Sequence, residues 1–231
     1  MKTYVLIDAS NLFYGFDTEY GWKIDYARLK KYLETKYSAE KVLYFGGIDT
    51  TVGIEPNKEF LHDYSDNETV NLDEYINHFE NLLKTYPKLG IAQITLIKKF
   101  IQQAKFYRKL ESFGYKLFLK PVKRFDKGEF AVPQRKANCD VDLTLEAIIN
   151  MDSFDRAIIL SGDGDFLPLY KHLEKKKKEV YVLSRTSKTA REVKRHLGPR
   201  FVEIRMLKNQ IEFTEKKIDK RKGRTKRPFQ I

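Results

Sequence analysis

The chain has 231 residues, is 42% hydrophobic, and carries a formal net charge of +12 with a pI of about 9.5. That length and apolar content suit one folded domain with additions and exclude a fibrous or low-complexity chain, while the charge favours a polyanionic partner, nucleic acid first. A single cysteine, Cys139, excludes an intrachain disulfide or a cysteine-cluster metal site and points to a reducing, cytoplasmic setting.

The opening MKTYVLIDAS has its apolar run interrupted by Asp8, so it reads as a buried first strand and not as a signal peptide. No later run approaches the ~20 apolar residues of a membrane span, and no membrane partner is expected. In chain order, short apolar runs predict strands at Tyr4–Ile7, Lys41–Phe45, Tyr115–Pro121, Ala157–Leu160 and Glu179–Leu183, with a weaker one at Phe201–Ile204. Helical spacing fills the intervals: Leu29, Tyr32 and Leu33 follow a cap at Asp25, Leu72 to Tyr86 follow a cap at Asn71, and a third stripe runs from Ile94 to Leu110. Strands alternating with helices predict an α/β fold, a parallel sheet flanked by helices on both faces.

Two regions depart from the alternation. Residues 49–90 are polar at first and then helical, which reads as a helical insertion acting as a lid or docking element. From Lys216 to Pro228 there are eight Lys/Arg and one Asp, so residues 206–231 read as a basic, flexible C-terminal tail behind a domain spanning 1–205.

In an open parallel sheet, ligands bind beyond the carboxyl ends of the strands. Three acidic places fall there: Asp8 after the first strand, Asp163 and Asp165 in SGDGD after the fourth, and Asp140 with Asp142 in the helix before it. Carboxylates crowded on one rim repel unless a cation sits between them. A hard divalent ion, Mg²⁺ or Mn²⁺, meets that need. The glycines of SGDGD would let the backbone turn sharply enough to aim both aspartates at the rim. Singly, each acid has a plainer reading: Asp8, Asp163 and Asp165 as turn or helix-cap residues, Asp142 as a solvated helix residue. Lys136, four residues before Asp140, is placed to meet a phosphate.

The blocks YVLIDASNLF, KANCDVDLTLEAI and RAIILSGDGDFLPLYKHLEKKKKEVYVLS, in that order, resemble the signature blocks of the NYN domain, LabA-like branch, of the PIN-like nuclease superfamily. The resemblance spans about residues 3–205 without the 49–90 insertion. It implies a PIN-like, Rossmann-like sheet and a metal-binding acidic cluster at Asp8, Asp140, Asp163 and Asp165, supported by Asn11 and Ser161. Ala137, Cys139 and Glu146 depart from the usual pattern, but no core acid is lost. The implied activity is metal-dependent hydrolysis of phosphodiester bonds in RNA.

Basic residues supply a track for such a substrate: Lys98, Lys99, Lys105, Arg108 and Lys109 on the third helix, then Lys120, Lys123, Arg124, Lys127 and Arg135 around the third strand. The tail adds Lys216, Lys217, Lys220, Arg221 and Lys222, and Phe125 and Phe130 could stack on unpaired bases. Two rivals remain open. One is a non-catalytic RNA- or protein-binding module of the same fold, and the other is a phosphatase or a nucleotide-sugar enzyme using Asp163 and Asp165 as a diphosphate clamp. The absence of a glycine-rich loop after the first strand weighs against the latter, and His62, His78, His172 and His196 have no zinc-ligand spacing. A homo-oligomer is compatible with all of these readings.

Overall fold

A computed structural model describes residues 1–13, 16–49, 70–86, 88–125, 134–136 and 139–214. All six expected strands form. In chain order the strands are β1 (Thr3–Asp8), β2 (Ala39–Ile48), β3 (Lys116–Pro121), β4 (Lys123–Phe125), β5 (Gln134–Lys136), β6 (Arg156–Leu160), β7 (Glu179–Ser184) and β8 (Phe201–Glu203). The helices are α1 (Ala9–Phe13), α2 (Phe16–Tyr20), α3 (Tyr26–Tyr37), α4 (Leu72–Thr85), α5 (Ile91–Ser112), α6 (Asp140–Ile149), α7 (Leu167–Lys175), α8 (Arg191–Leu197) and α9 (Lys208–Ile211).

Six strands make one sheet in the order β3-β2-β1-β6-β7-β8, every neighbouring pair parallel. The chain builds outward from β1 to β2 and β3, then returns to the other side of β1 to lay down β6, β7 and β8. The direction of winding therefore reverses between β1 and β6, and the loops leaving their carboxyl ends diverge to open a crevice. β4 and β5 form a separate antiparallel ribbon, with Lys123 opposite Lys136 and Arg124 opposite Arg135. No apolar run announces this ribbon, because its strands are three residues each and rich in cations.

Each strand alternates between two apolar layers, as the period of two requires. Val5, Ile7, Val42, Tyr44, Ile158 and Leu160 face a core shared with α3, α4 and α5. Tyr4, Leu6, Leu43, Phe45, Ala157, Ile159, Val180 and Val182 face a second core with α6, α7 and α8. Both expected caps are present: the Asp25 carboxylate accepts from the Arg28 N–H, and the Asn71 side chain accepts from the N–H groups of Asp73 and Glu74.

The 49–90 segment differs from its expected role. Helix α4 buries Leu72, Tyr75, Ile76, Phe79 and Leu82 in the first core, and the Tyr75 hydroxyl donates to the Asp49 carbonyl at the end of β2. A helix whose apolar stripe completes the core is a wall of the domain, not a lid. Residues 50–69 lie outside the described residues. The boundary expected at 205 also falls inside the packed unit. Leu207 and Ile211 are buried, the Asp25 N–H donates to the Ile211 carbonyl at 2.8 Å, and the Arg28 guanidinium reaches the carbonyls of Asn209 and Glu212. The basic run 216–228 lies outside the described residues. Among the described residues no helix is long and apolar enough to cross a membrane.

Candidate functional site

Alternation along β1 puts Asp8 on the face of Tyr4 and Leu6, at the carboxyl end of the strand and only 3% exposed. A carboxylate so buried needs donors, and it has four. Oδ1 accepts from the Ser10 N–H (3.1 Å), the Ser10 hydroxyl (2.8 Å) and the Asn11 N–H (3.2 Å), which caps α1 as the plainer reading of Asp8 expected. Oδ2 accepts from the Ser161 hydroxyl at 2.9 Å, across the crevice at the end of β6. A second staple runs in the same direction: the Gly162 N–H donates to Asn11 Oδ1 at 2.8 Å. The two lips of the crevice are thus tied by side chains from each.

Beyond Ser161 the turn organises itself. The Asp163 N–H donates to Ser161 Oγ (3.2 Å), and Asp163 Oδ1 accepts from the Asp165 N–H (2.9 Å), capping the single 3-10 turn Gly164–Phe166 that leads into α7. Asp163 is half-buried and Asp165 exposed. The glycines serve a different purpose from the one expected. Neither Gly162 nor Gly164 has a positive φ. What Gly162 supplies is space: a Cβ there would lie 2.6 Å from the Lys188 carbonyl, 2.7 Å from Thr189 Oγ1 and 2.8 Å from Ser184 Oγ.

The remaining acids approach from α6. Asp140 opens the helix, and Asp142 forms an ion pair with Lys120 of β3 at 2.8 Å. The Cys139 thiol, buried at the head of α6, is pushed up to about 12, by burial first and then by the negative charges of Asp142, Asp8 and Asp140. One thiol therefore feels carboxylates from both β1 and α6. The Tyr170 hydroxyl is likewise pushed above its ordinary range, first by burial and then by Asp163 and Asp8. That hydroxyl and the Ser184 hydroxyl are buried without a hydrogen-bond partner among the described residues, and both border this region.

Sequence reasoning missed two of the residues that build the site. Tyr170 reads as one more apolar position of α7. Arg185, 2% exposed, donates from Nη2 to the Asn11 carbonyl (2.8 Å) and from Nη1 to Glu19 (3.0 Å), fixing α1 and α2 to the end of β7. A lone arginine after a strand carries no signal of burial.

The cations of α5 are partly committed elsewhere. Lys105 pairs with Glu80 (2.8 Å) and Arg108 with Asp73 (2.9 Å), both acids on α4, and the Lys109 ammonium lies 5.2 Å from the centre of the Phe113 ring. Lys98 is exposed, and Lys99 lines a pocket with Asp49 and Gln103. Lys123, Arg124, Arg135 and Lys136 occupy the β4–β5 ribbon as backbone positions. Phe130, Lys127 and the tail cations Lys216, Lys217, Lys220, Arg221 and Lys222 lie outside the described residues.

The donor set is all oxygen, which suits a hard divalent cation and not a soft one. Among the described residues no three His, Cys, Asp or Glu side chains are gathered as a ready-made metal cage. Mg²⁺ does not require one, since it is commonly held by one or two carboxylates and keeps several waters. The oxygen chemistry of Asp8 and Asp163, on segments tied together by the Ser161–Asp8 bond, fits such an ion.

A parallel sheet opened at its winding reversal, with Asp8 on one lip and Asp163 on the other, is a doubly wound α/β arrangement with a crevice at its switch point. The chain belongs to the NYN domain family, whose model matches residues 2–205. It is 29% identical over 108 residues to the low amplitude and bright protein LabA of Synechococcus elongatus, a match covering 46% of this chain and 58% of LabA, so just over half of that relative's length is spanned. A crystal structure of a protein of unknown function from Vibrio parahaemolyticus aligns over 92% of this chain and 96% of its own, with a TM-score of 0.56 and 20% identity. The 5'-exonuclease of bacteriophage T5, solved with divalent zinc ions, aligns more loosely, over 84% of this chain and 60% of its own, with a TM-score of 0.43 and 16% identity.

Proposed function

We propose that the protein is a divalent-metal-dependent ribonuclease that hydrolyses RNA phosphodiester bonds at the β1–β6 crevice. The observation that supports the reading is the pair of staples, Ser161 to Asp8 and Gly162 to Asn11, which tie the segment carrying Asp8 to the one carrying Asp163. Asp8 and Asp163 would hold Mg²⁺ or Mn²⁺, with Asp140 and Asp165 as further ligands or as acceptors that orient a water. A bound ion would polarise the phosphoryl group and make its water nucleophilic near neutral pH. Ser161 orients the Asp8 carboxylate, Asn11 fixes the Gly162 turn, and Asp142 is held by Lys120. Lys136, four residues before Asp140, would meet a substrate phosphate. RNA is favoured as substrate by what the resemblance of the sequence blocks implies and by the net charge of +12, and the one cysteine, buried as a thiol, suits a reducing cytoplasm.

The competing reading, a binding module that keeps the fold without chemistry, is favoured by one observation: both Asp8 oxygens already accept from protein donors. Incubating labelled single- and double-stranded RNA and DNA with Mg²⁺, Mn²⁺ or chelator separates the two. Cleavage of RNA that stops in chelator supports the nuclease. RNA that is bound and never cut supports the module.

A further inference from the structure

Helices α7 and α8 leave the carboxyl ends of β6 and β7, so both start at the acidic rim and run side by side down one face of the sheet. The start of α8 abuts the crevice directly. The Ala190 N–H donates to the Gly162 carbonyl at 2.9 Å, and a Cβ on Gly164 would sit 3.1 Å from Ala190 and 2.8 Å from the Glu192 carboxylate.

The charges of this face are unevenly used. Glu174, in the seam between the helices, is taken up by the His196 ring (2.6 Å) and the Arg200 guanidinium (2.5 Å) of the α8 side. Glu192, at the rim end, is the one other acid of the two helices. Against these stand Lys171 and Lys175 on α7 and Arg191 and Arg195 on α8, each exposed and none in an ion pair among the described residues. Each pair is spaced i, i+4, which sets two cations about 6 Å apart along the outer edge of its helix. On α5, by contrast, Lys105 and Arg108 are already paired with acids of α4. Uncompensated cations on both sides of a neutralised seam, starting at the site turn, attract a chain of phosphates and read no sequence.

We infer that the α7–α8 face is the track along which an RNA strand leaves the crevice, its phosphates held by Lys171, Lys175, Arg191 and Arg195. The inference rests on the nuclease reading of the crevice and names the surface by which that site takes its substrate.

The test measures binding of the full-length protein to a labelled single-stranded RNA, in chelator to prevent cleavage, across a salt series. Single-stranded binding loses about 0.7 in the slope of log affinity against log salt for each phosphate contact removed. The variant carrying Lys171→Gln, Lys175→Gln, Arg191→Gln and Arg195→Gln should bind more weakly at low salt, with a slope shallower by about 3. The pair Lys31→Gln and Lys36→Gln, exposed on α3 at the opposite face of the sheet, should leave the slope unchanged. If the fourfold variant does not fold, Lys171→Gln with Lys175→Gln should reduce the slope by about 1.4. A wild-type slope in these α7–α8 variants, beside a wild-type protein that binds RNA and cuts it in Mg²⁺, overturns the track and leaves the nuclease standing. A wild-type protein that does not bind RNA at low salt overturns both.

Discussion

Asp8 and Ser161 are 153 residues apart in sequence, yet the Ser161 hydroxyl donates to Asp8 Oδ2 at 2.9 Å with both side chains buried. The bond joins the two strands that flank the crevice, and it is one of four donors on a single carboxylate. Ser161→Ala leaves one carboxylate oxygen buried without a donor, at a cost of ~1–3 kcal/mol, or about 2–4 °C of Tm for each kcal/mol in a domain of this size. Asp8→Asn keeps an acceptor for the α1 cap and should change stability by less than ~1 kcal/mol while abolishing metal-dependent cleavage. Thermal unfolding and an RNA cleavage assay on the two variants check both statements. Normal turnover by Asp8→Asn would remove Asp8 from the chemistry.

Gly162→Ala drives a methyl against the Lys188 carbonyl, which belongs to backbone and cannot swing away, so a loss of ~1–3 kcal/mol is expected together with a displaced Asp163. Gly164→Ala meets the far end of the Glu192 side chain at 2.8 Å, which can swing away, and the Ala190 methyl at 3.1 Å, and should cost less than Gly162→Ala. Denaturant titration of both proteins gives the order, and equal midpoints would show that the turn yields where the geometry says it is closed.

Tyr170→Phe removes a buried hydroxyl that has no partner among the described residues. The metal-free protein should keep its stability or gain up to ~1 kcal/mol, because no hydrogen bond is lost and a desolvated polar group disappears. A loss above ~1 kcal/mol, read from urea midpoints, would mean that the hydroxyl is bonded in solution.

Alkaline pH should unfold the protein. Burial raises the hydroxyls of Tyr26, Tyr44, Tyr107 and Tyr115 above their ordinary value, and the Cys139 thiol to about 12. In the unfolded chain these groups lose their protons near pH 10 and, for the thiol, somewhat lower. The folded chain then holds more protons than the unfolded one, so stability falls with rising pH. The contribution is complete below about pH 8.5 and declines through pH 10 and above. Urea midpoints from pH 7 to 11 should trace that fall, with tyrosinate absorbance appearing together with unfolding. A constant midpoint to pH 11 would contradict it.

The sheet was legible in the sequence because each strand is a short apolar run between helical spacings, and six such runs became six parallel strands. The Asp25 and Asn71 caps were equally plain, since the side chain that caps is the side chain that signals. What the sequence withheld depends on neighbours distant in the chain. Lys105 and Arg108 look like a wet basic face until α4 supplies Glu80 and Asp73. Helix α4 looks like an added lid until its stripe meets α5, and Gly162 looks like a hinge until Lys188 and Thr189 close around it. Asp8 and Asp163 were readable as carboxylates beyond strand ends, but the Ser161 and Asn11 staples that tie their two segments are tertiary contacts.

The most direct measurement is single-turnover cleavage of a labelled single-stranded RNA by wild-type protein and by Asp163→Asn, each with Mg²⁺, with Mn²⁺ and with chelator. A metal-dependent ribonuclease centred on Asp8 and Asp163 predicts products from the wild type only when a divalent ion is present, and none from Asp163→Asn under any condition although its RNA binding persists. Equal product from the two proteins, or cleavage that survives the chelator, would contradict it.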